Sequence, residues 1–321
     1  MASYNRRPKA TVAEQAVALA WGAWTELGVS GWNSTHGDWA IDPEPLIVFT
    51  AWLHDRDPRL RDEATDWCIR NWRHVSRARL RSLAGDTADE NQWGEFAATV
   101  SAHSGVTWPG SGRARAYQVT ERSTLPPLSR PSLAWLRLRA MFGLGARSEI
   151  LRCFLTQPES PNKSVATLAT ETGYTKRNVS DECEMLERAG LLAQRAKTNR
   201  FYYSLARRAE LEALIGELPD VRPHWGPVLN IARQLVTLEE AAHAVSAKTF
   251  PIRVRKALSA VQDDLVELDI DANFSDVHGP DLWPAAQELG ARTLAQWSIG
   301  HWDPELQGDQ IGRQITSAAR R

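Results

Sequence analysis

The sequence predicts a mainly α-helical chain: a helical N-terminal domain, a central run of three helices closed by a small β-hairpin, and a helical C-terminal extension. Three observations carry the prediction. Apolar residues recur at helical spacing over most of the chain, caps and glycine stops punctuate residues 146–190, and strict alternation appears at residues 191–205.

In the N-terminal part, Thr11 and Glu14 make a capping box ahead of Val12, Ala16, Val17, Ala20, Trp21, Trp24 and Leu27, and Gly28 ends that helix. Asp42-Pro43-Glu44 opens a second helix through residues 46–53, and Asp57-Pro58 opens a third carrying Leu60, Ala64, Trp67, Cys68 and Ile69. Further helices are predicted at 76–83 and 91–103. The Gly-, Pro- and Ser-rich stretch 105–131 then reads as a linker or irregular segment. The expected domains are therefore 1–104, 132–207 and 208–321.

Within the middle domain, Ile150, Leu151, Phe154 and Leu155 make the buried stripe of a helix at 146–157. Ser164 caps a second, with Val165, Leu168 and Ala169 on one face, and Gly173 supplies the left-handed residue of a sharp turn. Thr175 caps a third at 176–190, with Val179, Cys183, Leu186 and Ala189 expected inward and Lys176, Arg177, Asn178 and Ser180 in the outward first turn. The alternating run then makes a hairpin with a basic tip, Arg195, Lys197, Thr198, Asn199 and Arg200. Helix, helix, turn, helix and basic hairpin in that order form a winged helix-turn-helix. Its third helix would meet base edges through its N-terminal residues, and its hairpin would meet phosphates or the minor groove.

The segment SVATLATETGYTKRNVSDECEMLERAGLLAQRAKTNRFYYSL resembles the winged-helix domain of MarR-like and ArsR-like bacterial transcription regulators, over about a fifth of the chain. The resemblance implies DNA binding through Ser164, Thr175, Lys176, Arg177, Asn178, Ser180 and the hairpin tip. It brings no effector site, since the paired cysteines of metal-sensing ArsR proteins have no counterpart here. Charge distribution agrees with a nucleic-acid footprint: residues 113–208 carry 17 Lys and Arg against 8 Asp and Glu, residues 209–321 carry 10 against 17, and the whole chain is at −1.

The C-terminal part reads as helices at 208–218, 223–247, 252–268 and 281–299. Leu229, Ala232, Leu235, Val236 and Leu238 form one stripe and Ile252, Leu258, Val261, Leu265 and Leu268 another. Such stripes serve a core or a dimer interface. A homodimer is expected, because two recognition helices one DNA turn apart match a symmetric operator.

With 321 residues and 43% hydrophobic content, the chain can bury a large core. No run reaches the roughly 20 apolar residues of a bilayer span, and the N-terminus lacks a secretory pattern, so no membrane partner and a cytoplasmic location are expected. Cys68, Cys153 and Cys183 fall on apolar helix faces and read as buried thiols. Most of the 14 Trp follow helical apolar spacing and read as core, with Trp283, Trp297 and Trp302 the candidates for a pocket or partner surface.

The function expected is a bacterial double-stranded-DNA-binding repressor of its own or a neighbouring operon, with no catalytic residue, metal or cofactor. Two alternatives stay open. The segment IDPEPLIVFTAWLHDRDPRLRDEATDWC resembles part of bacterial proteins that pair with nucleotidyltransferase-like toxins, which implies an antitoxin-like or scaffold protein whose winged helix contacts a partner protein. His54-Asp55, with His36 upstream and Asp57 or Asp66 downstream, resembles the ligand set of an HD-type metal phosphohydrolase.

Overall fold

Thr11 and Glu14 cap as their spacing predicts: the Thr11 N–H donates to Glu14 Oε2 at 2.7 Å and the Glu14 N–H to Thr11 Oγ1 at 3.1 Å, which starts α1 (Val12–Glu26). The computed structural model describes residues 10–85, 90–156, 162–197, 200–246, 248–270, 272 and 274–303. It is mainly helical, with a small three-stranded antiparallel sheet. The chain divides into two units, one of residues 23–225 and one formed from the described parts of 1–22 and 226–321, the division falling inside α1.

In the larger unit, α2 (Pro43–Leu53) is buried on every side, as an apolar sequence with no polar face requires. It lies among α3 (Pro58–Asn71), α4 (Arg77–Ala84) and α5 (Glu90–Ser104). Trp24 and Trp67 meet edge to face at 5.4 Å, and each indole N–H is satisfied, by Thr50 Oγ1 at 2.8 Å and by Leu27 O at 2.7 Å. Residues 105–130 carry no helix or strand. Side chains of α3 hold them instead: Asp66 Oδ1 accepts from the N–H groups of Thr120 and Glu121, Arg70 donates to the carbonyls of Glu121 and Ser123, and Arg115 pairs with Asp62 at 2.6 Å.

Next come α6 (Ala134–Phe142) and α7 (Ala146–Thr156). No element is predicted from the sequence at the first, where Leu136-Arg137-Leu138-Arg139 alternates apolar and charged residues. Then follow β1 (Lys163–Ser164), α8 (Val165–Thr172), α9 (Lys176–Arg188), β2 (Leu192–Lys197), β3 (Arg200–Leu205) and α10 (Arg208–Ile215). The sheet order is β1-β3-β2, with Lys163 opposite Tyr203 and Lys197 opposite Arg200. Ile150, Leu151, Phe154, Leu168, Val179, Cys183, Leu186, Leu192 and Tyr203 share one core. Ala189, expected inward, is exposed. The helix closes with Gly190 N–H on Glu187 O and Leu191 N–H on Leu186 O, a Schellman pattern that turns Leu191 toward the core instead.

The smaller unit holds α11 (Trp225–Ala244), α12 (Phe250–Ala260), α13 (Gln262–Glu267) and α14 (Leu282–Trp297), with the start of α1. Glu239 of α11 accepts from the free N–H groups of Val12 and Ala13, a favourable place for a carboxylate at a helix start. The single helix expected at 252–268 is interrupted at Val261 (φ −103°, ψ 4°), a β-branched residue that leaves helical geometry while it and Leu265 stay buried. Ile252, placed in the buried stripe by its spacing, is 70% exposed. Among the described residues no helix is long and apolar enough to cross a membrane.

Six charges lie between α2, α4, α6 and α7. Arg79 clasps Asp42 through two bonds of 2.6 Å and also pairs with Glu44 and, at 3.4 Å, Glu149. Arg139 reaches Glu44 at 2.7 Å, Glu149 at 2.8 Å and the His74 carbonyl at 2.8 Å, and Arg152 holds Glu149 at 2.7 Å. Burial alone would raise the carboxyl pKa values. The guanidiniums outweigh it at two sites, holding Glu149 down at about 2, chiefly through Arg139, and Asp42 lower still, chiefly through Arg79.

Removing one partner leaves a buried charge without compensation, so Arg139→Met should cost about 3–5 kcal/mol in urea denaturation. Because the folded carboxyls of Glu149 and Asp42 titrate below their unfolded values, the stability they add is complete above pH 4.5. It should decline as pH falls from there toward about 2, followed as a drop in the urea midpoint.

Candidate nucleic-acid interface

Three local devices set α9. The Ser164 hydroxyl accepts from the Thr167 N–H at 3.1 Å to start α8, and Gly173 ends it at φ 71° with its N–H on Ala169 O. The Thr175 hydroxyl then accepts from the Asn178 N–H at 3.3 Å to start α9. The turn is also held from outside. A β-carbon on Gly173 would sit 3.3 Å from Ser82 Cβ, and Tyr174 Oη bonds Ser76 Oγ at 2.8 Å, so the turn rests on α4.

Lys176, Arg177 and Asn178 are exposed at the start of α9 and Ser180 is half-buried, while Val179, Cys183 and Leu186 turn into the core. From Arg177 in the first turn the outer ridge runs through Asp181, Glu184 and Arg188, with Met185 alongside at 51% exposure. The helix carries three cations against four carboxylates. Its basic character is thus confined to its first turn, a limit the residue-type reading of that turn did not reveal.

On the hairpin, pairing puts Arg195 opposite Tyr202 and Lys197 opposite Arg200 on one face, and Ala196 opposite Phe201 on the other. Arg195, Lys197 and Arg200 are exposed. Phe201 is 56% exposed because it lies on the core side but past the end of the core, which stops at Tyr203. Thr198 and Asn199 lie outside the described residues. Among the described residues none of Lys176, Arg177, Arg195, Lys197 or Arg200 pairs with a carboxylate, whereas Arg147 is taken by Glu182 at 2.9 Å.

Part of the positive charge counted over residues 113–208 never reaches solvent. Arg137, Arg139 and Lys163 are buried, with Arg139 in the ionic cluster and Lys163 on Glu171 at 2.7 Å, and Arg152 is largely covered. What remains outside includes Lys176 and Arg177 in the first turn of α9 and Arg195, Lys197 and Arg200 on the hairpin, with Arg113, Arg122, Arg130, Arg188 and Arg207 exposed elsewhere.

The residues of the phosphohydrolase reading have separate tasks. His36 is buried against Trp39 at 4.7 Å, Asp57 caps α3 through the Leu60 N–H, and Asp66 holds the backbone at 120 and 121. His54, with φ 31°, places Nδ1 at 2.7 Å from Asp55 and Nε2 at 3.3 Å from Glu95. Among the described residues no group of three or more His, Cys, Asp or Glu is arranged to hold a metal. The three thiols are free and buried as expected, and burial pushes Cys153 and Cys183 up to about 12, away from nucleophilic use. Of the pocket candidates, Trp297 is buried and stacks on Trp302 at 5.8 Å, and Trp283 meets Phe250 edge to face.

No family model, curated protein or solved structure matches this chain.

Gly173→Ala should destabilise the protein by about 1–2 kcal/mol, the cost of a left-handed residue with a β-carbon. The contact with Ser82 adds to that, and a fall in thermal midpoint measures it.

Proposed function

We propose that the segment from α7 to β3 is a winged helix-turn-helix and that the protein is a double-stranded-DNA-binding transcriptional regulator acting as a dimeric repressor. One observation carries this: the exposed cations of the first turn of α9 and of the hairpin, Lys176, Arg177, Arg195, Lys197 and Arg200, have no carboxylate partner among the described residues, while Arg147, Arg152 and Lys163 of the same segment are paired with carboxylates. Unpaired cations beside a capped helix start suit a polyanion whose base edges lie within reach of that start. The resemblance to MarR-like and ArsR-like winged helices supports the same reading.

In this reading Lys176, Arg177, Asn178 and Ser180 enter the major groove. Thr175 and Ser164 fix the two helix starts near the backbone, and Arg195, Lys197 and Arg200 meet phosphates. Asp181 and Glu184 keep the rest of α9 clear of the phosphate rows, so sequence is read by the first turn. Exposed Ile252 on α12 and Val266 on α13 support the C-terminal helices as the dimer contact.

A second reading is favoured by the alternating charges of Arg177, Asp181, Glu184 and Arg188 beside exposed Met185. Such a mixed ridge suits a protein surface, as in an antitoxin-like or scaffold role.

The test is binding to DNA from upstream of the protein's own gene and to a scrambled duplex, over a salt series. Preference for the upstream duplex, weakening as salt rises, is expected. Arg177→Ala should then lose about 1–3 kcal/mol of discrimination at one base position. Absence of any salt-dependent binding would leave the partner reading in its place.

A further inference from the structure

The helix on which the α8–α9 turn rests carries a basic row of its own. Arg77 and Arg81 of α4 stand one turn apart, Arg73 lies in a short 3-10 turn (Trp72–His74) just before that helix, and all three are exposed, with Ser82 exposed beside them. None has a carboxylate partner among the described residues. Arg77 only approaches the Thr107 carbonyl at 3.4 Å, and Arg73 lies over the ring of Trp72 at 4.6 Å.

The row has a fixed relation to α9. Ser82 Cβ and Arg79 Cα lie 3.3 and 3.7 Å from where a Gly173 β-carbon would be, Ser76 is bonded to Tyr174, and Arg79 is locked to Glu149 of α7. Lys176 follows Gly173 by three residues, a reach of at most about 10 Å. The start of α9 is thereby placed beside α4, so one extended polyanion can lie across both helices.

We infer that Arg77 and Arg81, with Arg73, extend the DNA interface onto α4 and contact phosphates flanking the sequence read by α9. The inference rests on the DNA-binding reading and adds to it a second element, from outside the winged helix. The charge balance of α9 supports it. With four carboxylates against three cations, that helix adds little net attraction for the backbone, and neutralisation falls to cations on its neighbours. The partner in mind is duplex DNA, because a row that reinforces the start of a groove-entering helix has most use where phosphates line both sides of that groove.

The test compares wild type, the double variant Arg77→Gln/Arg81→Gln and the hairpin variant Arg195→Gln/Lys197→Gln by fluorescence anisotropy. The probes are a labelled duplex from upstream of the gene and a scrambled duplex, over a salt series. The α4 substitutions are on exposed positions, and far-UV circular dichroism checks that the fold is kept. If the inference holds, the α4 variant loses affinity for both duplexes alike and its slope of log K against log salt falls by about 1.8, two phosphates' worth. Its hydroxyl-radical footprint also shortens at the flank. A slope unchanged in the α4 variant but reduced in the hairpin variant overturns the inference and leaves the DNA-binding reading standing. A changed preference between the two duplexes assigns these arginines to bases and also overturns it. Wild type without salt-dependent binding overturns both.

Discussion

The buried exchange of charge among Asp42, Glu44, Arg79, Arg139, Glu149 and Arg152 sets the terms for the larger unit. Six charged groups with little exposure to solvent persist because each finds several partners, three guanidiniums facing three carboxylates. Desolvation on this scale is expensive, and hydrophobic residues of the same shape would hold the helices together at least as well. What ions add is geometry. Each guanidinium accepts only a few orientations, so α2, α4, α6 and α7 meet in one register. The turn before α9 inherits that precision through Ser76, Ser82 and Tyr174.

Sequence-level charge and surface charge then part company. The central region is strongly basic when its residues are counted, but several of its cations serve the interior or a neighbouring carboxylate. The outer face of α9 mixes signs. Attraction for a polyanion depends on the cations left over, among them those at the first turn of α9 and on the hairpin, and α4 adds exposed arginines from outside the region.

Much of the local architecture was legible because it is written in short-range chemistry. Thr11 with Glu14, Asp57, Ser164, Gly173 and Thr175 act through backbone groups at most four residues away, and each sits where its side chain implies. The stripes of α7 and α9 were legible for the same reason, with Ala189 misread only where the helix closes. Long-range pairing left no such trace. Asp42 reads as a cap but serves Arg79, thirty-seven positions on. The two-residue β1 is too short for a pattern, the Leu-Arg alternation of α6 mimics a strand, and Val261 breaks a stripe that looks continuous. The basic row of α4 is visible as letters, but its place beside the Gly173 turn follows only from the fold.

The stretch from Arg115 to Ser123 has the composition of a loop that could lengthen or shorten freely. It is instead threaded across α3 like a belt through fixed loops, with Asp62, Asp66 and Arg70 gripping backbone atoms at 120, 121 and 123 and the side chain at 115. One inserted residue would put every later grip out of step. Insertions and deletions in the gene should therefore be purged from this stretch despite its lack of helix or strand, and length variation among descendants of this sequence should collect elsewhere.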